Sequence, residues 1–207
     1  MDESLRTGAR EARAAIESGA LRGPALLDLI RAVPFVDRDD WIDEALGFPP
    51  PPPDEDLPRG AVPYLPCGVE EILATVCEAP VGPGDDLVDL GSGLGRVAIL
   101  AHLLSGATAR GIEIQGHLVE AARARSAELG VPVSFVHGSA GDIELDGSIF
   151  FLYVPFSGEM LARVVVRLEA VARRRPIVVC AVGFDLDAPW LAPRATSSPS
   201  LMIYESR

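Results

Sequence analysis

The stretch VDLGSGLGR, Val88 to Arg96, constrains the fold more than any other part of the chain. It follows an apolar run, and Gly91, Gly93 and Gly95 stand at alternate positions in it. Glycine inside regular structure costs up to about 1 kcal/mol relative to alanine. Three of them therefore mark a place where the backbone turns sharply or where something approaches it closely. An apolar strand running into such a turn, with a helix after it, is the opening of a βαβ unit.

The rest of the chain repeats that unit. DDLVDL, ARGIEI, PVSFVHG, SIFFLYV and PIVVCAVGF read as strands, and SIFFLYV is apolar on both faces, as a buried parallel strand must be. Between them, Leu94–Leu104, His117–Leu129 and the stripe Leu161, Val164, Val165, Leu168 and Val171 have helical spacing. RATSS and LMIYES are predicted to close the chain as an antiparallel hairpin. The expected fold is α/β and Rossmann-like: a doubly wound, mostly parallel seven-stranded sheet with a C-terminal hairpin. Ligands of such sheets bind beyond the carboxyl ends of the strands, where the glycine stretch lies.

Residues 1–60 differ in pattern. Leu5, Ala9, Ala12 and Ile16 share a helical face, Pro24 suits a first helical turn, and Asp39 or Asp40 is predicted to cap a short helix that Gly47 ends. Pro49 to Pro53 and DEDLPRG then form a stiff, charged linker. The expected organisation is a helical lid with its linker over residues 1–60, and a ligand-binding domain over 61–207. Leu26, Ile30, Trp41 and Leu46 would face the core, and the lid would be dispensable for the sheet but needed for turnover.

Composition narrows the partners. The formal net charge of −12 opposes a broad nucleic-acid footprint. All 18 basic residues are arginine, which removes Schiff-base chemistry and the P-loop reading, since both need lysine. Cys67, Cys77 and Cys180 form no CxxC and read as small buried thiols, so no metal site is expected. The first residues carry acids and no apolar core, and no apolar run is long enough for a membrane span. A cytoplasmic protein with no membrane partner is expected.

Asp89, Gly91, Gly93 and Gly95 form D-x-G-x-G-x-G, and Glu113 ends the next strand 22 positions after Gly91. With the third glycine followed by Arg96, a bulky side chain stands where a dinucleotide fold wants close packing, which counts against an NAD-dependent oxidoreductase. The motif resembles that of the class I S-adenosylmethionine-dependent methyltransferases. The segments YLPCGVEEIL, DLGSGLGR and GIEIQ are similar to those of Dot1-like and related small lysine methyltransferases, a resemblance running from about Tyr64 to Phe184. It implies S-adenosylmethionine as cofactor, S-adenosylhomocysteine as product, and a cofactor site made of Tyr64, Asp89, Gly91, Ser92, Gly93, Gly95, Glu113, Ile114, Gln115, Ser139, Ala140 and Tyr153. Asp89 would face the cationic methionine end, Glu113 the ribose hydroxyls, and Tyr64 would lie over the cofactor.

Two departures stand out. Ser139 replaces an aspartate that accepts from the adenine amino group, with Asp142 as a substitute nearby. Val154 replaces the amide or carboxylate of an Asn/Asp-Pro-Pro-aromatic segment, so only its backbone carbonyl can serve an acceptor nitrogen. Val154, Pro155, Phe156 and Ser157 are expected to line the acceptor site beside Tyr153 and Glu159. His102, His117 and His137 all read as structural or surface residues, so no catalytic base is assigned. The acceptor is left as an amine or hydroxyl of a protein or small molecule. A methyltransferase-like binding module without catalysis is the alternative, favoured by Val154 and Ser139.

Overall fold

The computed structural model describes residues 1–53, 56–154 and 156–207; Asp54 and Glu55 of the linker, and Pro155 of the expected acceptor site, lie outside the described residues. Three helices come first: α1 (Glu3–Glu17), α2 (Gly23–Ala32) and α3 (Arg38–Leu46). After the proline run come α4 (Val69–Glu78), β1 (Asp86–Leu90), α5 (Arg96–Ser105), β2 (Thr108–Glu113), α6 (Gly116–Glu128), β3 (Ser134–His137) and β4 (Ile149–Tyr153). The chain ends with α7 (Gly158–Ala172), β5 (Val178–Val182), β6 (Leu191–Arg194) and β7 (Leu201–Ser206).

The seven strands form one sheet in the order β3-β2-β1-β4-β5-β7-β6. The pairs among β1 to β5 are parallel, whereas β7 runs antiparallel to both β5 and β6. The strand order reverses between β1 and β4, and a crevice at their carboxyl ends is the place such a sheet offers a ligand. The expected sheet and hairpin are therefore present, but β6 shares only Arg194 with RATSS. Thr196 Oγ1 donates to the carbonyls of Ser198 and Leu201, which makes that segment the turn. Pro193 sits in β6, where an edge strand tolerates a missing donor.

One apolar cluster joins Val88, Leu90, Phe150 and Leu152 of the sheet to Val164 and Leu168 of α7. The opposite face carries α4, α5 and α6 in a second cluster. That cluster also contains Ala9, Ile16, Leu26, Ile30, Trp41 and Leu46 from α1, α2 and α3. The reason is α5: Val97, Ala98, Ile99, Leu100, Ala101, Leu103 and Leu104 are all buried, so it needs cover on the side away from the sheet. The first three helices supply that cover. The expected apolar side chains do face the core, but the helices expected as a lid are built into the apolar cluster around α5. α2 packs on α5, α1 packs on α3, and α3 packs on α4.

Two local details also differ from expectation. Asp37 holds the N-cap position of α3 without a side-chain bond, and Asp39 instead accepts from the Val69 N–H at 3.0 Å, capping the start of α4. Gly47 does end α3 in the left-handed region, at φ 71°. Cys67 and Cys180 are buried, but Cys77 is exposed.

Candidate functional site

A cleft opens at the carboxyl ends of β1, β2 and β4, enclosing about 790 Å³ when its open mouth is counted. Its floor is Gly91, Ile112, Glu113 and Tyr153; one wall is Gln115, Gly138, Ser139 and Ala140, and another is Phe156 and Met160. Residues 61–65 cross it as a strap. An antiparallel bridge between Ala61 and Phe156, and the Ser157 N–H donating to the Gly60 carbonyl at 2.9 Å, tie the strap to the loop after β4.

The three glycines of the motif do different jobs. Gly91, at φ 90°, lines the cleft. Gly93, at φ 52°, lies beside the Tyr64 ring, and a Cβ there would come within 2.0 Å of its Cε2. Gly95, at φ 85°, packs against the Phe135 ring of β3. The close packing of helix on strand is thus made by Gly95, not at the next position. Arg96 turns away from the sheet, so its bulk is no obstacle there, and the sequence argument built on it is corrected. Its guanidinium is buried, bridges to Asp39 and Asp43, and donates to the carbonyls of Cys67 and Asp39.

Asp89 is sealed beneath the loop, 2% exposed, and Oδ2 has no hydrogen-bond partner among the described residues. Burial, helped by the nearby charge of Glu113, pushes its carboxyl up to about 8. Glu113 is also buried but is held by the backbone: Oε2 accepts from the Gly93 N–H at 2.9 Å and Oε1 from the Gln115 N–H at 2.8 Å. Each carboxylate oxygen keeps a further lone pair for a hydroxyl in the cleft. The Tyr64 phenol takes a hydrogen bond from the Leu94 backbone, and burial raises it to about 12, so it is a neutral hydroxyl.

Of the residues expected at the site, Tyr64, Gly91, Glu113, Ile114, Gln115, Ser139, Ala140, Tyr153, Val154 and Phe156 line the cleft. Asp89, Ser92, Gly93 and Gly95 support it from behind, with Ser92 buried against Gly111. Ser157 precedes α7 and is not on the wall. The Ser139 hydroxyl accepts from the Gly141 N–H at 3.3 Å, closing its own turn. Asp142 is no substitute, because it is exposed and pairs with Arg163 at 2.9 Å. His102 holds the Ala107 carbonyl and His137 the Ile114 carbonyl, so both have structural partners. The strap residues Ala61, Val62, Pro63 and Leu65, together with Met160, were not legible as site residues, since residues about 100 positions apart meet there through the fold alone.

Val154 is the one non-glycine residue at positive φ among the described residues, at 39°. A β-branched residue resists that conformation, and the strain sits at the end of β4, where the chain must leave the sheet beside the cleft.

This sheet, with its cleft at the reversal of strand order and its antiparallel terminal hairpin, is the Rossmann-like methyltransferase fold. An RNA methyltransferase from Salinibacter ruber, solved in complex with S-adenosyl-L-homocysteine, is similar over 69% of this chain and 92% of its own, at 28% identity and a TM-score of 0.57. The PH0226 protein from Pyrococcus horikoshii OT3 shares the fold over 67% of this chain and 90% of its own, at 12% identity and a TM-score of 0.53. No family model matches the chain, and no curated protein matches it.

Proposed function

We propose that the protein is an S-adenosylmethionine-dependent methyltransferase acting on an amine or hydroxyl of a protein or small molecule. The carrying observation is the pair of acids at the ends of β1 and β2. Asp89 holds an unpartnered, buried carboxyl oxygen behind the glycine loop, which a bound cation would favour in its ionised form, and Glu113 holds fixed oxygens on the floor of the cleft. A ligand with a cationic end and a ribose suits this polarity. Ile114, Ala140, Phe156 and Met160 offer an apolar slot for a flat base. The Ser139 hydroxyl accepts from its own turn but keeps its O–H and a lone pair, so it would share recognition of the base with backbone groups and apolar contact.

The residues present thus fit the cofactor, and its sulfonium supplies an already activated methyl group. The chain's part is to bind, orient and exclude water. Glu113 would hold the ribose, with its own carboxylate fixed by the Gly93 and Gln115 N–H groups. Tyr64 and the strap would cover the methionine end, and Tyr153 and Val154 would face the acceptor. The division into a helical cover, 1–60, and a cofactor-binding part, 61–207, belongs to this proposal, as does the finer resemblance to Dot1-like lysine methyltransferases carried by Tyr64 and Pro66. The net charge of −12 supports an acceptor other than nucleic acid. No helix among the described residues is long and apolar enough to cross a membrane. The free thiols favour a reducing, cytoplasmic setting.

Calorimetry with S-adenosylmethionine, S-adenosylhomocysteine and NAD tests the proposal. The first two should bind and NAD should not; the reverse pattern overturns it. A protein that binds the cofactor yet yields no methylated product across amine and hydroxyl acceptors would be the non-catalytic module instead.

A further inference from the structure

A second pocket lies on the other side of Tyr153 and Val154, which line both spaces. Its remaining wall comes from α3, α4, the end of β5 and the loop before β7. Gly183 follows β5, and a Cβ there would come within 2.7 Å of Val154 Cγ2, so the glycine leaves room for Val154 to stand between the two pockets. That placement makes Val154 a doorway residue rather than a floor.

The charge on the wall is one-sided. Asp39, Asp43 and Glu71 face the pocket, against Arg96 alone. Arg96 is committed to Asp39 at 3.0 Å and Asp43 at 3.2 Å, and its side chain is only 5% exposed, so it offers little to a ligand. The two aspartates are different: their side chains are 57% and 42% exposed. Burial of Asp43 raises its carboxyl from the ordinary value, with Arg96 opposing the shift and the neighbouring Asp39 and Asp40 adding to it. Glu71 accepts from the Ser200 hydroxyl at 2.9 Å, which fixes it at the pocket's edge.

We infer that this second pocket is the acceptor subsite, and that its carboxylates, two of them carried by the N-terminal helix α3, select an organic amine that arrives as an ammonium ion. The inference rests on the methyltransferase reading, and it narrows the acceptor from amine or hydroxyl to amine. The chemistry balances. The ammonium first sheds one proton to water at the open mouth. The nitrogen lone pair then forms the N–C bond while the C–S bond breaks with its electron pair to sulfur, leaving a neutral thioether and a methylated ammonium.

The test reads binding rather than turnover. n-Hexylammonium, hexan-1-ol and hexanoate are compared by ligand-observed NMR titration against the full chain. Wild-type protein should prefer n-hexylammonium to hexan-1-ol by about tenfold or more, and hexanoate should bind least. The Asp43→Asn/Glu71→Gln variant should bring amine and alcohol within about twofold. If that variant does not fold, the wild-type preference should shrink as salt is raised to about 0.5 M. Equal binding of amine and alcohol, or a preference that survives both the variant and salt, overturns the inference. S-adenosylhomocysteine is titrated separately. Its failure to bind would overturn the cofactor reading and leave the ammonium preference measurable, whereas its binding without that preference would overturn only the amine assignment.

Discussion

Arg96, the first residue of α5, lies 3.0 Å from Asp39 Oδ1 of α3, and this pair ties the N-terminal helices to the helix that follows the glycine loop. The same guanidinium donates to the Cys67 carbonyl at 2.8 Å, so it also fixes the start of α4. Arg96→Leu should therefore destabilise the protein by about 2–4 kcal/mol. It leaves main-chain acceptors unpaired, although the half-exposed Asp39 and Asp43 can still be hydrated. Urea unfolding followed by the fluorescence of buried Trp41 checks this, and a change under about 0.5 kcal/mol would mean the pair is only a surface contact.

Gly93→Val should abolish S-adenosylhomocysteine binding, for a reason the sequence did not show. The new side chain would meet the Tyr64 ring before it met any ligand, and the left-handed φ of 52° would strain it further. Adding Tyr64→Ala should recover part of the lost thermal stability, because it removes the clash and leaves only the backbone strain. No recovery in the double variant would show that Tyr64 is not what the side chain meets.

Glu113→Ala should weaken cofactor binding by about 1–3 kcal/mol, the usual scale for hydrogen bonds to a charged group. It should also lower thermal stability, because the Gly93 and Gln115 N–H groups lose their acceptor. Ser139→Ala should cost binding less than Glu113→Ala, since a neutral hydroxyl, already accepting from the Gly141 N–H, is all that is lost. Calorimetry ranking Ser139→Ala as the more damaging change would reverse the assignment of the two ends of the cleft.

The sheet was legible because periodicity is a local property: the apolar runs at Leu87–Leu90 and Ile149–Tyr153 and the glycine turn each carry their own signal. Asp89 and Glu113 were legible for the same reason, each being tied by spacing to a strand end. The role of Arg96 was not, because its partners lie 57 and 53 positions earlier in the chain and no periodicity links them. Met160 and the strap were hidden likewise, since residue 61 meets residue 156 only through the fold. The engagement of Ser139 with Gly141 is a turn detail that pattern alone does not distinguish from a free hydroxyl.

Asp89 should make cofactor affinity depend on pH. Its carboxyl is raised from 3.8 to about 8 in the folded protein, so folding favours its protonated form and stability falls as pH rises between those values. A cation bound nearby favours the ionised form, so binding expels a proton below pH 8. S-adenosylmethionine affinity should then rise from pH 6 to 8 by up to about tenfold per unit and level off above. Asp89→Asn should flatten this profile. Affinity that falls as pH rises, or an unchanged slope in the variant, would show that Asp89 does not titrate with binding.

The N-terminal helices give the last prediction. On sequence alone, a protein starting at Ala61 should fold and merely lose turnover. The structure argues otherwise, because α5 is buried on nearly all sides and α2 packs directly on it. Removing residues 1–60 would uncover the side of α5 on which α2 packs, and would leave the buried Arg96 without Asp39 and Asp43. Uncovering several large aliphatic side chains at about 1.5–3 kcal/mol each exceeds what a marginally stable domain can lose. The truncated protein should be insoluble or should lack a cooperative melt. Replacing only Trp41 with alanine, a cavity change of about 3–5 kcal/mol, should lower the melting temperature of the full chain without moving the pH profile of cofactor binding. A soluble Ala61–Arg207 protein with a sharp melt would show that the sheet and α4 to α7 stabilise themselves. In that case the first helices would be a cover that the fold can spare.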